Sequence, residues 1–250
     1  MAIGKNKKRW KAVKRKVDPF DRKEWYRIQA PISIFNTKFA GETVINKTQG
    51  LIKAEDRLLG RVFELYAGDL NADPSDHFRV ITLRCDMVEG DTCLCNFHGM
   101  RLTTDRLRGL IKKRQSLIEG YADVVTEDGF RLRVFAIGFT NRHRNQIREG
   151  IYSKNYANAQ QTKKIREAFL TVIREEVEGV TLSAFLKKVL TKDSITKKMV
   201  SAANKFYPVK DVYISKIKTL KGSTRMTTDV VRAFHSGSAP TAEGQSTKRD

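Results

Sequence analysis

Tyr121-Ala122-Asp123-Val124-Val125-Thr126-Glu127-Asp128-Gly129-Phe130-Arg131-Leu132-Arg133-Val134-Phe135-Ala136-Ile137-Gly138-Phe139 is the stretch of this 250-residue chain that decides the fold. Two β-rich arms, Tyr121 to Thr126 and Phe130 to Phe139, flank Glu127-Asp128-Gly129, a compact hairpin signal. In the second arm Phe130, Leu132, Val134 and Ala136 alternate with Arg131, Arg133, Phe135 and Ile137, the period of two that belongs to a strand. The same punctuation continues upstream. Thr43 to Thr48 is β-branched and short, between Gly41 and Gly50, and Gly60 to Leu65 reads as another strand. Asn71 to Ser75 is a turn cluster. Ile81, Leu83, Cys85 and Met87 share one face of the next run, with Thr82, Arg84 and Asp86 on the other. Phe78 and Val80 have the opposite parity, which predicts a bulge or a start buried on both sides. Glu89-Gly90-Asp91 turns into a strand around Cys93 to Phe97. Short strands at this spacing predict a curved, barrel-like, mostly antiparallel sheet.

Helices flank the strands. Near the start, Pro19 biases Asp18 away from helix, and Asp21 to Tyr26 is expected to form one turn carrying Trp25 and Tyr26. Thr103 or Thr104 can cap a helix whose buried stripe is Leu107, Leu110, Ile111, Leu117 and Ile118. Its outer faces carry Arg106, Arg108, Lys112, Lys113 and Arg114. Past residue 155 the period becomes 3.6. Ile165, Phe169, Val172, Ile173 and Val177 mark a long amphipathic helix ending at Gly179. Thr181 caps a shorter one with Leu182, Phe185, Leu186, Val189 and Leu190. Asp193 or Ser194 begins a third, with Ile195, Met199, Ala202, Ala203 and Phe206, stopped before Pro208. Residues 211–220 return to strand character, and from His235 the composition is that of a disordered tail. The fold class is therefore α+β, divided into a basic extension (1–17), a β-rich part with one helix (18–155), a helical part with a returning strand (156–234) and a tail (235–250).

Charge narrows the partner. The chain carries 48 Lys and Arg against 28 Asp and Glu, a net +20. Lys5, Lys7, Lys8, Arg9, Lys11, Lys14, Arg15 and Lys16 supply +8 before any carboxylate appears, and +12 remains on the rest. With Trp10 among few apolar residues, this leader has too little to bury to fold alone. Extended, it reaches roughly 50 Å, and phosphates would reward it with counterion release. No apolar stretch approaches the ~20 residues of a spanning helix, so a membrane is not the expected polyanion. Three cysteines, Cys85, Cys93 and Cys95, cannot all pair, and the histidines are scattered. Buried core thiols are expected rather than a disulfide or a metal site.

The densest polar block of the body runs from Thr140 to Arg148. It holds fork donors (Arg142, Arg144, Arg148), amides (Asn141, Asn145, Gln146) and the imidazole of His143. Guanidinium groups bind phosphates bidentately, while amides reach base edges or sugar hydroxyls. Directly after an apolar strand, the block is expected as an exposed RNA-binding connection. The cations Lys112, Lys113 and Arg114 are candidate contacts of the same kind.

Gly138-Phe139-Thr140 followed by Arg144-Asn145-Gln146-Ile147-Arg148 resembles a segment of the small-ribosomal-subunit protein family of eukaryotes and archaea called S-three-a. Other blocks agree in order: Met1-Ala2 with Gly4-Lys5-Asn6-Lys7, Val17-Asp18-Pro19-Phe20, Trp25-Tyr26, Thr48-Gln49-Gly50 and Gly60-Arg61-Val62-Phe63-Glu64. Asn96-Phe97-His98-Gly99-Met100 with Leu102-Thr103, Tyr207-Pro208 and Asp211-Val212 complete the set. The leader with Asn6 is similar to the eukaryotic branch. Departures fall at Leu65-Tyr66-Ala67-Gly68-Asp69-Leu70, in 222–234 and after Gly237. The resemblance implies an α+β protein on the platform of the small subunit near the messenger exit. It would bind small-subunit ribosomal RNA and touch neighbouring ribosomal proteins, close to exiting messenger RNA and to where eukaryotic initiation factor three docks. It also implies a cytoplasmic ribosomal location with passage through the nucleolus during assembly.

Two other classes are weaker. An RNA-processing enzyme would need a phosphate loop, a paired-His motif, a nucleophile elbow or clustered carboxylates. Asp69, Asp73 and Asp76 are instead spread over a turn-rich loop, Glu64 reads as a surface or ion-paired residue, and His98 as a loop histidine. A chromatin-type DNA-binding protein would need helix-turn-helix, basic-zipper or zinc-finger spacing. No catalytic residue, metal ligand or cofactor is assigned.

Overall fold

The computed structural model describes residues 18–143, 154–191, 194–222 and 228–236. Its strands are β1 (Lys23–Gln29), β2 (Phe39–Asn46), β3 (Val62–Tyr66), β4 (Arg79–Glu89), β5 (Thr92–Leu102), β6 (Leu117–Val125), β7 (Arg131–Thr140) and β8 (Val209–Lys221). The helices are α1 (Ala54–Leu58), α2 (Ala67–Asn71), α3 (Thr104–Leu110), α4 (Ala159–Val177), α5 (Leu182–Leu190), α6 (Ser194–Asn204) and α7 (Thr228–Ser236). The strands form one sheet in the order β2-β1-β5-β8-β7-β6, with β4 on the other edge of β5 and β3 beyond it. All strand pairings are antiparallel except β1 with β5, and the sheet is open, not closed into the expected barrel. The α+β class and the mainly antiparallel sheet are as expected.

Strand β5 branches the sheet. Along one edge it pairs with β4 from Glu89↔Thr92 to Arg79↔Leu102. Its other edge holds β1 at Thr92 to Leu94 and β8 at Gly99 to Arg101. The β4–β5 ladder is regular from Arg79 to Thr82 and shifts register at Thr82/Leu83, where His98 of β5 is skipped, and at Cys85/Met87, where Asp86 of β4 is skipped. Val80 and its neighbour Ile81 are both buried on a stretch that pairs without a break to β3, so this end of β4 is covered on both sides. His98 lies inside β5, not in a loop. Trp25 and Tyr26 are on β1 rather than in a turn. The turn is confined to the 3₁₀ segment Pro19–Arg22, capped by the Asp18 carboxylate 2.9 Å from the Phe20 amide. Strand alternation then points Tyr26 into the core and leaves Trp25 outside, stacked on Phe20.

The 127–129 turn joins sheet to helices. Gly129 takes a positive φ of 83° to close it, where a Cβ would strain the backbone. The Asp128 carboxylate accepts the Leu182 amide at 2.7 Å, adding an anion to the N-terminus of α5 already capped by Thr181. The Glu127 amide donates to the Val180 carbonyl at 3.2 Å. The stripes of α4 and α5 are buried as the periodicity predicts, and Gly179 ends α4 at φ 66°. In the third helix Ile195, Met199 and Ala203 are buried, but Phe206 is exposed. That helix stops at Asn204, whose side-chain oxygen accepts the Val209 amide at 2.9 Å and starts β8.

Helix α4 lies on β6 and β7 where side chains vanish. A Cβ on Gly138 would fall 2.8 Å from Cζ of the fully buried Phe169 and 3.3 Å from Val212 Cγ2. On Gly120 it would meet the Arg166 stem at 2.9 Å, near the surface. Glu176, buried on α4, accepts Lys188 Nζ of α5 at 3.2 Å and also Lys198 Nζ of α6, tying three helices together. Those ammonium groups, Lys198 foremost, hold its carboxyl below the ordinary carboxylate value.

Besides β1, the helices α1, α2 and α7 escape the sequence patterns. Helix α7 runs through His235 and Ser236, past the point where the composition turns tail-like, and buries His235 beside the backbone of Cys95 and Ala30. Burial lowers the affinity of that imidazole for a proton. No described helix is long and apolar enough to cross a membrane.

Two outcomes are expected. Gly138→Ala should cost about 1–3 kcal/mol by overpacking against Phe169, seen as a lower urea midpoint at unchanged slope, whereas Gly120→Ala should stay within about 0.5 kcal/mol. Equal effects at the two sites would contradict the packing account. Glu176 contributes stability that is full above the unfolded carboxylate value and fades as pH falls through the depressed native one. Glu176→Gln should therefore cost about 1–2 kcal/mol near neutrality, and the gap to wild type should narrow as pH falls below the ordinary carboxylate range. A gap independent of pH would rule this out.

Candidate nucleic-acid interface

Two basic segments far apart in sequence meet at one corner, and a buried hydroxyl joins them. Thr140, the last residue of β7, is fully buried. Its Oγ1 accepts the Ser116 amide at 2.8 Å and donates to the Asn155 carbonyl at 2.6 Å. The Thr140 amide donates to Ser116 O at 3.1 Å, and the Asn155 amide to Arg114 O at 2.9 Å. Ser116 Oγ accepts the Ala157 amide at 3.0 Å. Polar groups at this depth cost little only when bonded on every side. The result is a rigid base from which 112–114 and 141–143 both emerge.

Lys112, Lys113 and Arg114 are all exposed. They do not lie on a helix, as the stripe suggested, because α3 ends at Leu110. The Gln115 side chain donates to Leu110 O at 3.1 Å, and Arg114 adopts a left-handed φ of 66°, so the chain reverses there. Leu117 and Ile118 belong to β6, and Ile111 is exposed. Strand pairing with β7 therefore won over the helical reading of these apolar residues.

On the other side, the Asn141 amide donates to Pro208 O at 2.8 Å, and the His143 ring meets Tyr207 edge-on at 5.2 Å. Asn141 and His143 are exposed and Arg142 is half-buried. Lys164 adds a further cation 5.9 Å from the exposed Phe206 ring. The structure thus brings together Lys112, Lys113, Arg114, Asn141, Arg142 and His143. The other expected contacts, Lys5, Lys7, Lys8, Arg9, Trp10, Lys11, Lys14, Arg15, Lys16, Arg144, Asn145, Gln146 and Arg148, lie outside the described residues.

Residues of the types that carry out catalysis are engaged structurally. Asp73 caps the Pro74–Asp76 turn through the Ser75 amide at 2.9 Å, and Asp76 is buried against Arg79 at 3.4 Å. Glu64 pairs with Arg101 at 2.8 Å. The cysteines are free, buried thiols, Cys85 facing Cys95 across β4 and β5 and donating weakly to Met87 O at 3.6 Å. Among the described residues no cluster of three or more His, Cys, Asp or Glu is placed to hold a metal ion.

The cations of the outer sheet face, Arg101, Lys216 and Lys218, belong to no motif that the sequence shows. The signal for that face was visible on β7, where Arg131, Arg133 and Phe135 alternate against the buried positions.

The model of the Ribosomal S3Ae family matches residues 11–223. The chain is 46% identical over 223 residues to the small ribosomal subunit protein eS1 of Brugia malayi, covering 88% of this chain and 84% of that protein. It is 42% identical over 225 residues to the proteins of the same name from Theileria parva and Theileria annulata, again covering 88% of this chain and 84% of each. A protein with this sheet, this basic corner and this extent of similarity belongs to the ribosomal S3Ae family.

Proposed function

We propose that this protein is a structural constituent of the cytosolic small ribosomal subunit that binds small-subunit ribosomal RNA and neighbouring ribosomal proteins. Its place is the platform near the messenger exit, close to exiting messenger RNA and to the docking place of eukaryotic initiation factor three. Assembly takes it through the nucleolus. The observation that carries this reading is the convergence of 112–114 and 141–143 on the Thr140 knot. A cationic corner held on a buried polar network suits neutralising and positioning a folded polyanion, and turnover is not part of the role. The cations of the leader, Lys5 to Lys16, and of the 144–148 block belong to the same task by their composition.

Tagged protein should cosediment with small subunits and survive a moderate salt wash, and recovery only as free protein would overturn the assignment. Lys112→Ser with Lys113→Ser should reduce the salt dependence of RNA binding by about 0.7–0.9 in log–log slope for each phosphate no longer neutralised. Deleting residues 1–16 should weaken incorporation into subunits more than it lowers the thermal midpoint of the free protein.

A further inference from the structure

Helices α4 and α6 pack on the inner face of the sheet. On β7, Leu132, Val134, Ala136 and Gly138 point to α4 and the core, while Arg131, Arg133 and Phe135 point away. Helix α3 covers just one end of that outer face, packing Leu107 and Leu110 on Ile137, Phe139 and Tyr213. The remainder is open, and Tyr121 is 55% exposed.

The register lines up what stands there. Tyr121 of β6 lies opposite Phe135 of β7, which lies opposite Lys216 of β8, which lies opposite Arg101 of β5. One row on, Asp123, Arg133, Lys218 and Gly99 follow in the same order. The two rings sit 5.8 Å apart, inclined at 42°. Arg133 makes two bonds to Asp123, at 2.6 and 2.7 Å, and its guanidinium lies 4.9 Å from the Tyr121 ring centre. That ring is therefore steadied from one side. Lys218 Nζ is 5.9 Å from the Phe135 ring centre. Over Gly99, which has no side chain, a depression of about 310 Å³ opens, rimmed by Glu64, Arg101, Lys216 and Lys218.

We propose that this outer face is a second RNA contact that takes unpaired bases, stacking them on Tyr121 and Phe135 while Lys216 and Lys218 meet the adjoining phosphates. The idea rests on the RNA-binding reading above and adds the form of RNA bound. Charge selects the occupant. Asp123 and Glu64 neutralise Arg133 and Arg101, leaving the lysines one strand spacing, about 4.8 Å, from the rings. A protein surface laid here would have to bury those ammonium groups. A nucleotide supplies an aromatic plane and an anion at about that separation. Duplex RNA would satisfy the lysines but leave the rings idle, because its bases are already stacked. Base stacking on aromatic side chains tightens binding by roughly 5–100-fold per base, against little for an isolated exposed ring.

The full-length protein is titrated with a fluorescent single-stranded oligouridylate, a matched abasic oligomer and an RNA duplex of equal length. The intact strand should bind about 5–100-fold more tightly than the abasic one. Tyr121→Leu should remove most of that gap without changing the urea midpoint, and Tyr121→Phe should keep it. Lys218→Ala should weaken intact and abasic strands together. Equal affinity of the wild type for intact and abasic strands, a gap untouched by Tyr121→Leu, or a preference for the duplex would each overturn the proposal. None of those results alters cosedimentation with small subunits, and loss of cosedimentation is the separate failure that would overturn the ribosomal assignment.

Discussion

Strand β5 has two edges and three partners, and this constraint organises the rest of the molecule. A backbone amide or carbonyl taken out of water must find a mate. Strand β4 satisfies one edge throughout, so β1 and β8 have to divide the other. Two strands cannot occupy one edge without diverging, and the sheet forks between Leu94 and Gly99. Helix α7 packs at this fork, bringing His235 against the backbone of Cys95.

The fork also explains how a chain this basic keeps a dry interior. Its cations are sent to the outer sheet face, to the solvent sides of α4 to α6 and to the corner beyond β7. The inner face is flat where α4 must approach, through Gly138 and Gly120, and aliphatic elsewhere. One buried carboxylate, Glu176, collects two lysines, so pairing offsets the desolvation of the ion while aligning three helices. Sheet and helices are then locked together by Asp128, a turn residue that serves as part of a helix cap.

Much of this was legible in the residues. The 121–139 hairpin, the stripes of α4 and α5 and the doubly buried start of β4 are local patterns, and local patterns survive into the fold. What escaped depends on distant partners. Leu117 and Ile118 fit a helical stripe as well as a strand, and pairing with Gly138 and Phe139 decided between them. Trp25 and Tyr26 became a strand because β2 and β5 were available on either side. Helices α1 and α2 are a single turn or so each, too short for periodicity to show. At the interface, the density of Arg and amides marked 141–143, and the unbroken cations marked 112–114. Their meeting depends on Thr140 and Asn155, a hydroxyl and an amide with no motif of their own.

That knot has a topological meaning as well as a chemical one. Thr140 and Asn155 are fifteen positions apart in the chain, yet bonded at 2.6 Å. The bond holds the two ends of the intervening stretch together, whatever that stretch contains. The entropy of closing a loop grows only with the logarithm of its length, about 0.6 kcal/mol for each doubling. Insertions, deletions and changes of charge between these two residues are thus nearly independent of the stability of the sheet. Natural variation can remodel what this corner touches while the framework beneath it stays the same.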